Sequence, residues 1–164
     1  MKGEWVLMAM APVFLGFVAW EAWHWHRRGR DIYTLRDTLG NAALALMHQA
    51  ADALAWLLVI GLYWWVYQYR LFDLPTAWWT IALLFVAQDF FYYFFHRAHH
   101  RVRWMWASHV VHHSSERLNF STAFRQSLTY PVSGMWVFWL PLAWLGFSPP
   151  HIVAVVAINL GFQF

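Results

Sequence analysis

Six of the chain's ten histidines fall between positions 96 and 113, in the stretch HRAHHRVRWMWASHVVHH. On a helix, His96 and His100 stand at i and i+4 and project from one face, one turn apart. Two imidazoles at that spacing can reach a metal ion from a single helix. His109 and His113 repeat the i, i+4 interval and His112 stands at i+3 from His109, so these three predict one broad face of a second short helix. Two such helices facing each other would bring five imidazoles together, as helical bundles do when they build metal sites. One tetrahedral zinc takes at most four protein ligands. Five histidines therefore point to a two-metal site, and imidazole without sulfur suits iron, copper, nickel or zinc. The chain has no cysteine. That excludes disulfides, thiolate-bound clusters and thiol catalysis.

The other polar residues in apolar surroundings sort differently. His99 points about 100° away from His100, which marks it as a non-ligand. Asp89 lies at i−7 from His96 on the same stripe, inside an apolar run where a carboxylate is a functional candidate. Its expected role is to hydrogen-bond a ligand histidine of the other box and fix that ring's tautomer. His48 and Asp52, at i and i+4, are expected to satisfy each other as a structural pair. His24, His26 and His151 read as interfacial polar residues, and Arg97, Arg101 and Arg103 as membrane anchors.

The elements that must position these groups are those of a membrane protein. Of 164 residues, 61% are apolar and only 12% charged, against about 45–50% and 25% in soluble domains. Such a surface predicts a bilayer as solvent. Apolar runs at 5–23, 42–67 and 77–95 are each long enough to span one, the first being ~28 Å as a helix. Two shorter runs, 132–145 and from 152 onward, are separated by the turn GFSPP and predict a helical hairpin. The expected fold is thus an all-α integral membrane bundle of three spans plus a C-terminal hairpin, with the histidine boxes on helix extensions. Arg27, Arg28, Arg30 and Arg36 follow the first span, and Arg97, Arg101, Arg103, Arg117 and Arg125 follow the third. The loop between spans two and three holds only Arg70. By the positive-inside rule this places the histidine boxes on the cytoplasmic side. A net charge of +3, spent on topology signals, predicts no nucleic-acid partner.

The pattern H-R-x-x-H (His96 to His100), followed by H-x-x-H-H (His109 to His113), resembles the sterol desaturase / fatty acid hydroxylase superfamily of membrane di-iron oxygenases. The flanking HHSSERLNFSTAFRQS and the upstream Asp89-Phe90-Phe91-Tyr92-Tyr93 are most similar to its alkylglycerol monooxygenase-like and bacterial sterol desaturase branch. DIYTLRDTLGN and YRLFDLP extend the likeness over most of the chain from about Asp31. The resemblance implies an enzyme that uses two iron ions, O2 as co-substrate and an external electron donor to attack a C–H bond of a lipid. It implies iron ligation by His96, His100, His109, His112 and His113, a strongly positive centre whose charge nearby Asp89 or Glu116 could offset. It further implies an N-terminal transmembrane region, residues 1–75, and a catalytic domain, residues 76–164, that lacks the family's third histidine box. The chain is accordingly expected to be an N-terminal fragment, inactive alone. The competing reading is a non-catalytic membrane protein that binds haem or ferries a metal.

Overall fold

A computed structural model describes residues 3–160, with side chains described for residues 12–159. Every regular element among them is helical. The first expected span is α1 (Gly3–His26) and the second is α2 (Leu35–Gln68). The third is α3 (Trp78–Arg101), followed at once by the short α4 (Arg103–His109). Then come a 3-10 turn at Phe120–Phe124, α5 (Tyr130–Ser133), a 3-10 turn at Met135–Trp139, α6 (Leu140–Leu145) and α7 (Pro149–Leu160).

Among the described residues, α2 and α3 are long and apolar enough to cross a bilayer. Only 6% of the most apolar window of α2 is buried, and 22% of that of α3. A soluble protein's core helix would be covered, so these exposed faces, with Leu46, Leu57, Leu58, Trp78 and Val86, fit a membrane bundle. Residues 5–11 of the expected first span have side chains outside the described set, as do residues 161–164 of the last run altogether. The expected hairpin is present as two short apolar segments, Met135–Leu145 and α7, joined through Gly146.

Two boundaries differ from expectation. Helix α2 starts seven residues before 42, because Thr34 caps it by accepting from Asp37 N at 3.3 Å. Its polar first turns form a platform under the site rather than an interfacial loop. Helix α4 ends at His109, so His112 and His113 sit in a following turn, not on the helix. There His112 N bonds His109 O and His113 N bonds Val110 O, while Ser114 Oγ donates to Val111 O at 2.7 Å and closes the turn.

The core joins Tyr63 of α2, Leu84 and Phe95 of α3, Tyr130, Trp139, Leu142 and Ile152, all nearly inaccessible. The polar segment 114–129 is fixed to the helices by side chains. Glu21 of α1 accepts from Phe120 N at 2.8 Å and from the Tyr33 hydroxyl at 2.6 Å. Asn119 donates to Ile32 O at 2.9 Å. An acid in an apolar helix is thereby paired, as its desolvation demands.

Candidate metal centre

Helix α3 continues beyond its apolar stretch and carries His96 and His100 on its last two turns. The chain reverses at Val102, and α4 lies back against α3, so His109 and His113 meet the first pair. Ligand nitrogens of His96, His100, His109 and His113 all lie within 4.8 Å of one another. The Nε2 separations are 3.0 Å for His96–His100, 3.2 Å for His100–His109 and 3.2 Å for His109–His113.

Hydrogen bonds alone cannot satisfy this packing. Each Nε2 has a single in-plane site, either a proton or a lone pair, yet those of His100 and His109 each face two others. A cation among them offers these lone pairs a common partner. Ligand nitrogens ~2.0–2.1 Å from one ion are themselves about 3 Å apart at angles near 90–110°, as the three consecutive pairs are here, while the whole set spreads over 4.8 Å. The donor set fits a borderline transition metal. Nitrogens this close leave room for an ion but not for a porphyrin between them.

Burial prepares the ligands. His109 is 2% exposed, and desolvation, reinforced by the neighbouring imidazoles of His96, His100 and His113, pushes its pKa down to about 3. His113 is lowered in the same direction, again first by desolvation. Both rings stay neutral near pH 7 and keep a lone pair for a metal. His100 and His113 remain exposed, so the cluster is open on one side, where Trp106 stacks on His113.

His112 is the expected ligand that stands apart. Its Nδ1 donates to Arg125 O at 3.2 Å, which leaves Nε2 as a lone pair beside the four-nitrogen group, its ring centroid 5.2 Å from that of His113. His99 is fully buried and both its nitrogens are occupied, by Phe95 O at 2.8 Å and Ser133 Oγ at 2.9 Å. It is a packing residue. Asp89 is exposed on α3, and among the described residues no histidine is within hydrogen-bond reach of it. His48 and Asp52 do pair, at 3.3 Å. His24 stacks on Trp20, His26 pairs with Asp31 and His151 with Ser148, all away from the cluster.

Two supporting residues escape a reading of the histidines alone. Tyr130 OH lies 2.7 Å from His109 Nδ1. Arg125 holds the platform of α2 by donating to Asp37 and, at 2.8 Å, to Asn41 Oδ1.

A family model described as fatty acid hydroxylase matches residues 81–164, just over half of the chain and the whole four-histidine cluster. The chain belongs to the fatty acid hydroxylase family. Curated proteins similar to this chain include alkylglycerol monooxygenases. That of Homo sapiens is 38% identical over 143 residues, 85% of this chain and 32% of that protein. That of Danio rerio is 34% identical over 157 residues, 93% of this chain and 34% of that protein. That of Xenopus tropicalis is 46% identical over 98 residues, 58% of this chain and 21% of that protein. The chain thus spans about a third or less of the length of these relatives. No solved structure matches it.

Proposed function

We propose that the whole protein is a membrane-bound, O2-dependent oxidoreductase that oxidises a lipid, with residues 76–164 contributing to its catalytic domain and residues 1–75 its N-terminal membrane region. The observation that carries this reading is the convergence of four Nε2 atoms at 3.0–3.2 Å spacing beside apolar helices. His96, His100, His109 and His113 would hold one iron. His112, tautomer set by Arg125 O, would turn its Nε2 to a second, whose further ligands would come from outside these residues. Iron with O2 supplies the oxidising power when bound, and the protein supplies ligation, orientation of the lipid and exclusion of water. Electrons would come from an external donor, and the Arg-rich flanks favour the cytoplasmic side for the site.

Among hydroxylation, desaturation and ether-lipid oxidation, likeness to alkylglycerol monooxygenases favours oxidation of an alkylglycerol ether. The family of reactions shares one requirement, a C–H bond delivered from the bilayer to an open metal position. Here the open side of the cluster lies where the apolar surface of α3 ends.

The test is to purify the whole protein in detergent, count iron per chain, and compare lipid extracts of cells with and without it by mass spectrometry. Two irons per chain and the disappearance of one lipid class are expected. Folded wild-type protein that retains no iron, or unchanged lipid extracts, would refute the assignment. His100→Ala and His109→Ala are expected to abolish both iron retention and turnover.

A further inference from the structure

Behind the histidine cluster, on the side away from its open face, a cavity of about 40 Å³ lies between α2, α3 and α7. Its walls set polar groups among apolar ones, with His48, Asp52, Gln88, Tyr92, Tyr130 and Trp139 beside Phe95, Met135 and Val156. Three buried atoms of this lining have no hydrogen-bond partner from the protein: Asp52 Oδ1, Gln88 Oε1 and Trp139 Nε1. Gln88 is 1% exposed and Trp139 2%, and the Asp52 side chain is 14% exposed with its Oδ1 covered. Buried polar groups are costly when unpaired, and one water needs only ~10–15 Å³ of such volume. The cavity takes two or three waters, and its two orphan acceptors and one orphan donor match their hydrogen-bonding capacity.

The same cavity reaches two of the clustered histidines through phenols. Tyr130 OH pairs with His109 Nδ1 at 2.7 Å, and Tyr92 OH makes a long contact of 3.5 Å to His96 Nδ1. When His109 offers Nε2 to a metal, Nδ1 keeps its proton and donates it to the Tyr130 oxygen. The phenolic proton of Tyr130 must then find an acceptor, and the carboxylate on the cavity wall is that of Asp52. His48 holds this group in place: its Nδ1 donates to Ser127 O at 3.0 Å, and one proton shared between its Nε2 and Asp52 Oδ2, 3.3 Å apart, links ring to carboxyl.

We propose that the cavity is an ordered-water site and that Asp52 ends a hydrogen-bonded chain, Asp52–water–Tyr130–His109, which orients a metal ligand from behind. Asp52 and Tyr130 are then positioning residues, in the place where carboxylates commonly support a metal-bound imidazole. This rests on the metal reading above. Asp89, exposed and away from every histidine, has no part in the chain.

The test uses the whole protein in nanodiscs, loaded with cobalt(II), with affinity measured by chelator competition and the ligand field by visible absorption. Wild-type protein that binds no cobalt or iron would count against the metal reading itself, not the chain. Given binding, Asp52→Asn and Tyr130→Phe are each expected to weaken affinity by about 10–100-fold and to shift the cobalt spectrum alike. The double variant is expected to lose no more than the worse single one, and Asp89→Asn to match wild type. Wild-type affinity in Asp52→Asn, or losses that multiply in the double variant, would overturn the chain. Should Asp52→Asn fail to fold, the same cycle is run with Asp52→Leu, which removes the carboxylate without leaving an unpaired polar group; wild-type affinity or multiplying losses there overturn it equally.

Discussion

His112 donates from Nδ1 to the main-chain carbonyl of Arg125 at 3.2 Å, while the Arg125 side chain reaches the opposite way to Asp37 and Asn41 of α2. One residue thus carries the rigidity of a 34-residue membrane helix to an imidazole on a loop. A further bond to Ser114 Oγ at 3.0 Å closes the loop on itself.

Removing that guanidinium should loosen His112 without touching it. Arg125→Ala leaves the partly buried Asp37 carboxylate, 24% exposed, without its cation. A lost charged hydrogen bond at such a site costs about 1–3 kcal/mol, reduced by residual solvent screening. Thermal unfolding of the purified protein should show this loss, and metal analysis should show one iron retained more weakly than the other. Arg125→Lys should recover part of the stability but not both bonds, because an ammonium lacks the planar fork. Equal retention of both irons in Arg125→Ala would argue against His112 as a ligand.

His99 and His100 are neighbours in sequence with opposite expected phenotypes. Both His99 nitrogens are bound to protein in a fully buried setting, so His99→Ala opens a cavity and leaves Ser133 Oγ with only its bond to Tyr130 O. The expected result is a drop of a few kcal/mol in stability with metal stoichiometry preserved in the folded fraction. His100→Ala, at an exposed position, should fold normally and lose metal. Metal content and melting temperature, measured on both variants, separate the two roles. Metal loss in well-folded His99→Ala would reverse the assignment.

The histidine spacing was legible because a helix converts i, i+4 directly into a shared face, and α3 supplies that helix up to Arg101. The long-range partners were not. Arg125 and Tyr130 lie 13 and 21 residues from the histidines they hold, across an irregular segment whose path no periodicity encodes. The choice between carboxylates shows the same limit. Asp89 shares a stripe with His96, but its own end of that stripe is exposed, and the bundle interior receives Asp52 instead. The early start of α2 did have a signal: Thr34 three residues before Asp37 is the spacing of an N-cap and an acidic first turn.

Acid should destabilise the metal-free fold through His109. In the fold its pKa is held down to about 3; in the unfolded chain it returns to about 6.5. Between those values the unfolded state binds the extra proton, so stability rises with pH across that window and levels off above it. As pH falls from about 6.5, this one residue removes up to about 1.4 kcal/mol per unit. His113, lowered in the same sense, adds to the slope. Melting temperatures of chelator-treated protein from pH 7.5 to 5 should therefore decline, and His109→Gln should decline less steeply. A bound metal should flatten the curve until protons displace it. A metal-free protein equally stable at pH 5 and 7.5 would contradict the burial described for His109.

Gly146 decides whether the C-terminal hairpin can close. Its φ of +113° lies where a side chain is strained, and a Cβ there would stand 2.1 Å from Phe72 O. That contact is with main chain, so no rotamer change can relieve it. The connector is fixed from the other side as well, since Leu71 N donates to Trp144 O at 2.8 Å. Even alanine must therefore push the 70–74 connector away from α6 and break that bond. The backbone strain alone is worth about 1–3 kcal/mol, and the clash adds to it. Gly146→Ala should lower the yield of folded protein and its melting temperature, while Gly61→Ala, on an exposed face of α2 with open space around it, should be neutral or mildly stabilising. Because α7 packs on α3 and lines the Asp52 cavity, the damage should reach the metal centre too. Iron per folded chain should then fall in Gly146→Ala and not in Gly61→Ala. Unchanged yield, melting temperature and iron in Gly146→Ala would mean that the connector and the hairpin do not meet as described.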